Sequence, residues 1–369
     1  MNTRRSRQQL TNAILIPIMA ILLGLIVAGF FLLFTGASPF TAYEELFKAG
    51  FSCKKLTSCN LFQTLQLATP MILTGLSAVM AFRSGMYSIG QEGQYLVGAT
   101  IAAWLGYAIH LPPVIHPVVI ILAAMAGAGL YGWFPGLLKT RLGINEVITT
   151  IVMNNIANLF MTYAVNYPMR ADQGTTAHSP IVGETAFLPV FFQGSKMGVG
   201  LLIAILMAII VFIYLWKTTP GFEQRMSGQV PLFAKFSGIP NERAALRGMF
   251  LSGAVAGLAG AIEILGVHHR LMQGFSTGLG MDGVMVAILG QAHPVGVTIV
   301  AIFFAGMRLG AQIGLQTALH IPRELGGGII ALMILFVAIQ NLYRFWIEGG
   351  RQWLLKHTPQ RQASGKDRP

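Results

Sequence analysis

The chain has 369 residues, of which 54% are hydrophobic and only 10% charged, and its net charge is +12. A soluble domain carries roughly 25% charged residues, so the composition excludes a soluble globular protein and predicts an all-α, polytopic membrane protein. The basic excess would point to nucleic acid in a soluble chain; here it gathers in one set of loops and reads as topology, so no nucleic-acid partner is expected.

Residues 1–13 carry Arg4, Arg5 and Arg7 and are predicted to be cytoplasmic. The apolar run at 14–34 is longer than a signal-peptide core and has no A-x-A-like site directly after it, so it is expected to remain as an anchor. The first outer loop then holds Cys53 and Cys59, the only two cysteines of the chain. Their close spacing outside the membrane predicts a small disulfide loop, and with no His beside them a metal site is not expected. Further apolar runs lie at 64–82, 94–109, 118–138, 147–165, 197–216, 249–267, 295–310 and 327–342. Each is near the length that roughly 30 Å of hydrocarbon requires. One more, at 271–290, is interrupted by Gly274, Gly278, Gly280 and Gly283. About ten crossings result, some discontinuous, and they place both termini and most of the 25 Lys and Arg in the cytoplasm. The chain thus reads as a cytoplasmic N-terminus (1–13), a transmembrane domain (14–342) and a basic cytoplasmic tail (343–369) at the lipid surface.

Two Gly-x-acid-Gly turns precede short apolar helices: Gly90-Gln91-Glu92-Gly93 and Gly280-Met281-Asp282-Gly283. The topology puts the first inside and the second outside, as an inverted repeat with discontinuous helices requires; chance recurrence among 43 glycines is the alternative. Arg83, Glu92 and Asp282 are expected to fix loop geometry at these breaks. Asn154, Asn155 and Asn158 lie inside a run, where an amide is costly to desolvate without partners. Asn154 and Asn158 share a helical face, and two readings stay open: hydrogen bonding to a polyhydroxylated solute, or an interhelical clamp. Glu263 is the clearest intramembrane carboxylate; it could contact solute, pair with His268 or His269, or couple protons. Glu146, after Asn145, is expected as a charge at a helix N-terminus. Gly253, Gly257 and Ala261 form small-xxx-small spacings suited to close helix packing. No P-loop, H-E-x-x-H or nucleophile elbow occurs, so no enzyme activity and no cofactor are expected, and any ATP hydrolysis belongs to other chains.

The polar stretch at 217–247 is punctuated by Pro220, Pro231 and Pro240, and Phe233, Ala234 and Phe236 give it an apolar knob suited to a groove on a soluble partner. An amphipathic segment lying on lipid is the alternative. The stretch resembles the cytoplasmic coupling loop of ABC-importer permeases of the ribose, nucleoside and branched-chain amino acid type. Gly221, Phe222, Glu223, Arg225, Gly228, Pro231, Ala234, Gly238 and Ile239 fall in register, while Val230 and Phe233 depart from the pattern. Segments 81–99, 143–157, 251–266, 278–297 and 321–338 resemble the same family, most closely the larger permease of nucleoside and simple-sugar importers. The resemblance implies ATPase coupling through Glu223, Arg225, Gly228, Pro231, Ala234, Lys235 and Gly238. It also implies a second homologous permease, a cytoplasmic ABC ATPase, an extracytoplasmic solute-binding (lipo)protein and the inner membrane of a bacterium or archaeon. The expected solute is a nucleoside, with a simple sugar next. An ion-coupled secondary transporter working through Glu263, or a membrane scaffold, are the readings from other classes.

Overall fold

The computed structural model describes residues 38–53, 59–171, 176–191 and 197–316, together with 26, 27, 29, 30, 33 and 328. The expected N-terminus (1–13), last span (327–342) and tail (343–369), and most of the run at 14–34, lie outside the described residues. The chain divides into two compact units, 1–41 with 324–369, and 42–323; the site described below lies within the second.

All named elements among the described residues are helical. In chain order the α-helices are α1 (Pro39–Phe51), α2 (Asn60–Arg83), α3 (Gln91–Ala108), α4 (Ile115–Leu142), α5 (Glu146–Asn166), α6 (Val199–Lys217), α7 (Thr219–Gln229), α8 (Pro231–Phe236), α9 (Asn241–Glu263), α10 (Leu279–Leu289) and α11 (Pro294–Leu309), with a 3-10 turn at Glu184–Ala186 between α5 and α6. A π-helical turn extends α9 over Ile264–His268, and another extends α11 over Gly310–Leu315. Among the described residues, 6 helices are long and apolar enough to cross a membrane, and α10 is a shorter apolar helix. The interrupted run expected at 271–290 is helical only from Leu279, because Gly274 and Gly278 sit in the left-handed region at φ +73° and +87° and hold the chain before them open.

Burial sorts the helices. The apolar windows of α2 and α9 are 78% buried, whereas those of α5 and α6 are only 28% and 22% buried. α9 therefore forms the centre of the unit, packed on α2, α3 and α4. Its small residues make this possible, since lipid offers no hydrophobic driving force and packing has to come from close approach. A Cβ on Gly132 of α4 would stand 2.9 Å from the Met249 carbonyl oxygen and 3.1 Å from the Gly253 Cα. Ser77 of α2 and Ser252 of α9 close the interface with a 3.0 Å hydrogen bond.

Local signals set the helix ends. Gly143, at φ +70°, terminates α4, with its N–H and that of Ile144 donating back to Lys139 and Leu138. The Asn145 side chain then accepts from the Val147 N–H at 2.8 Å and starts α5. Cys53 and Cys59 are joined by a disulfide just before α2.

The two Gly-x-acid-Gly turns differ from expectation in one respect. They do not lie on opposite faces of the membrane; they meet inside the bundle. Glu92, in the first turn of α3, accepts from the N–H groups of Gly280 (2.7 Å) and Met281 (3.2 Å) at the start of α10. The reason is electrostatic: a helix N-terminus buried away from water needs an acceptor for its open N–H groups and favours negative charge.

Candidate functional site

The polar stretch between α6 and α9 is structured. Thr218 caps α7, its hydroxyl accepting from the Gly221 N–H at 3.3 Å, and Pro231 stands at the start of α8. Three spans grip α7. Gln224, fully buried, donates to the Met80 carbonyl of α2 at 2.7 Å; Arg225 donates to the Leu215 carbonyl of α6 at 2.8 Å; Glu223 pairs with Arg247 of α9 at 3.0 Å. Gly228 presses on the backbone that follows α2, where a Cβ would lie 2.5 Å from the Gly85 nitrogen and 2.6 Å from the Arg83 oxygen. α8 is held by Ala234, fully buried, and by a 2.8 Å bond from Asn241 to the Pro231 carbonyl. Its other side is open: Leu232, Phe233 and Phe236 are 72%, 56% and 89% exposed, with Lys235 also exposed. Gly238, at φ +78°, ends the element.

Trp216 marks the foot of this assembly. The guanidinium carbons of Arg83 and Arg225 both lie 5.4 Å from its ring centroid, and His293 packs against it at 4.9 Å. Arg83 also donates to the carbonyls of Ala292 (2.9 Å) and Gln291 (3.3 Å). Both of those residues have positive φ, so Arg83 braces the strained turn between α10 and α11.

The first helix break is laced to α5 by one stripe of side chains four residues apart. Glu146 accepts from the Tyr87 N–H (3.4 Å), Thr150 from the Ile89 N–H (3.2 Å) and Asn154 from the Gly93 N–H (2.8 Å). Asn154 also donates to the Ile89 carbonyl at 2.8 Å, and Gly90 and Gly93 leave the room this contact needs. Both ends of the Asn154 amide are thus engaged with backbone. Glu146 pairs with Lys139 at 2.8 Å as well, beyond its place in the first turn of α5. Asn155 and Asn158 lie on the exposed face of α5, and Asn155 donates to the Ile151 carbonyl of its own helix. Glu263 is buried at the end of α9, 3.8 Å from the His268 Nε2. It borders a cavity of about 20 Å³, room for a single water molecule.

At the second break, Asp282 is ion-paired with Arg308 of α11, and Gly283 packs against Thr74 of α2. Sequence reasoning missed Arg308, Thr150 and Gln224. An arginine within an apolar run is itself a signal; the other two carry none outside the fold.

The described residues thus form an apolar helical unit with a braced, apolar-tipped element between two candidate spans. Residues 60–338 match the family described as branched-chain amino acid transport system / permease component, and the chain belongs to it. It is 37% identical over 336 residues to the guanosine ABC transporter permease protein NupP of Bacillus subtilis, covering 90% of this chain and 95% of the relative. The nucleoside ABC transporter permease protein NupB of Lactococcus lactis is 31% identical over 343 residues (89% and 92% covered), and the glucose ABC transporter permease protein TsgB13 of Haloferax volcanii is 29% identical over 340 (89% and 88%). No solved structure matches. The chain is a multi-pass membrane protein and a transport subunit.

Proposed function

We propose that this chain is the permease subunit of an ATP-driven importer of nucleosides. The observation that carries the coupling is the α7–α8 element, which is gripped by α2, α6 and α9 and turns three large apolar side chains outward. Such an element has the shape of a plug for a groove on a cytoplasmic ATPase, and its bracing lets a push at α8 reach three spans at once. The relatives at 37% and 31% identity are named for guanosine and nucleoside transport, which favours a nucleoside as solute. The glucose permease relative supports a simple sugar as the second reading.

The exposed face of α5 supports where the solute passes. Amides facing lipid are costly, so Asn155 and Asn158 are best accounted for by a second, homologous permease seated on this face, with the path between the two subunits. Neutral amides suit ribose hydroxyls and base edges. A solute-binding protein would dock on the outer side, and both termini would be cytoplasmic. The test is uptake into liposomes holding the permease pair and its ATPase. ATP-dependent accumulation of guanosine, insensitive to ionophores, is expected; accumulation that needs an ion gradient and no ATPase would move the work to Glu263 and overturn the reading.

A further inference from the structure

Residues 274–278 form a short non-helical strap between two glycines in the left-handed region, and a Cβ on either Gly274 or Gly278 would meet nothing within 4 Å. Both glycines therefore have open space around them, as hinges need. Two opposite charges from different helices hold what lies between and just beyond. Glu92 of α3 accepts from the Ser276 hydroxyl and from the Gly280 and Met281 N–H groups. Arg308 of α11 donates to the Thr277 carbonyl at 2.7 Å while paired with Asp282. Phe275 anchors the strap from beneath, stacked on Tyr95 at 5.5 Å and edge-on to His268 at 5.4 Å.

We propose that this strap is a two-state gate element of the permease, clasped by Glu92 and Arg308 and moved by α10. Glu92 serves the open N–H groups of α10, but Arg308 adds a second charge on the strap itself, and opposed charges from two helices on a glycine-bounded strap suit a clasp that selects between two arrangements. The rod that would move it is on the page. α10 has 11 residues, about 16 Å of helix. Its upper end begins at the strap and its lower end enters the turn that Arg83 braces, and the Arg83 backbone is where Gly228 of α7 presses. A shift of α7 thus has a rigid route to the strap. The π turn two residues beyond Arg308 gives α11 a place to change register as the clasp opens. The Tyr95 hydroxyl and the Gln91 amide, both fully buried beside this region, have no hydrogen-bond partner among the described residues, which leaves them able to bond in a second arrangement.

The proposal rests on the permease reading, and ATP-driven uptake by the unmodified complex tests that reading separately. The gate is tested with a thiol reporter. Both native cysteines are in the disulfide, so Thr277→Cys, at an exposed position whose backbone alone is engaged, supplies one reactive thiol. In the full complex in nanodiscs, its labelling by a membrane-impermeant maleimide is expected to differ about tenfold between the nucleotide-free and vanadate-trapped states, the scale of one charge-assisted hydrogen bond lost. Glu92→Gln is expected to label without nucleotide at the faster of the two rates and to raise solute-independent ATP hydrolysis. Ser276→Ala, a milder change that keeps the charge, should shift the rate in the same direction by about threefold, and it decides the matter if Glu92→Gln does not assemble. Equal labelling in both nucleotide states, or an unchanged rate in Ser276→Ala, would make the strap a static brace and overturn the proposal.

Discussion

Asn154 and Asn158 are one helical turn apart on α5, yet their surroundings ask different things of them. Asn154 satisfies one donor and one acceptor of the backbone at the first break, whereas Asn158 is exposed. Replacing Asn154 by Leu leaves two part-buried backbone groups unpaired, at up to about 1–3 kcal/mol each, so the variant is expected to melt earlier in detergent and to assemble poorly. Asn158→Leu should melt like the unmodified protein and lose about tenfold in uptake of a hydroxyl-rich solute. Melting temperatures and initial uptake rates of the two variants, measured side by side, separate clamp from path; equal losses of stability would place both amides in packing. Gly228 gives a second contrast. The backbone of Arg83 and Gly85 leaves no room for a side chain there, so Gly228→Val should separate α7 from α2 and abolish solute-stimulated ATP hydrolysis while membrane insertion, followed by protease protection, stays intact.

The structured character of the α7–α8 element was legible in the sequence. Its prolines, the Gly228 and Gly238 positions and the apolar residues between charges mark a rigid segment with an apolar tip without any knowledge of the fold. The grip of Gln224 on Met80 was not legible, because its two ends are 144 residues apart and no local pattern records such a contact. The same limit hid the meeting of the two helix breaks: each turn was visible by its glycines, but only packing shows that Glu92 of one serves the N-terminus behind the other. The exposed tip of α8 yields a prediction at this scale. Phe233→Ser with Phe236→Ser removes apolar surface that is mostly exposed, so the double variant should fold and insert normally. Co-purification of the ATPase with it should fall below detection, and retention of the ATPase would show that α8 lies on lipid instead.

Across the whole chain, charge and hydropathy gave the class and the approximate span pattern, since the bilayer imposes those on any sequence. The disulfide is the one covalent tie of the described chain, and it closes a loop beside α1 and α2. Non-reducing peptide mapping of native membranes should recover the Cys53–Cys59 link, and two free thiols there would contradict the disulfide and the oxidising outer location expected for that loop. The contact between Glu92 and the start of α10 spans nearly two hundred positions of chain, with separations of 188 and 189 residues. During synthesis the carboxylate therefore enters the membrane long before its partner exists. A nascent chain stopped short of Ser276 carries Glu92 without the Ser276, Gly280 and Met281 groups from which it accepts in the folded protein. A carboxylate in that state favours water over lipid, so the first half is expected to stay open at this point until the second half arrives to complete it.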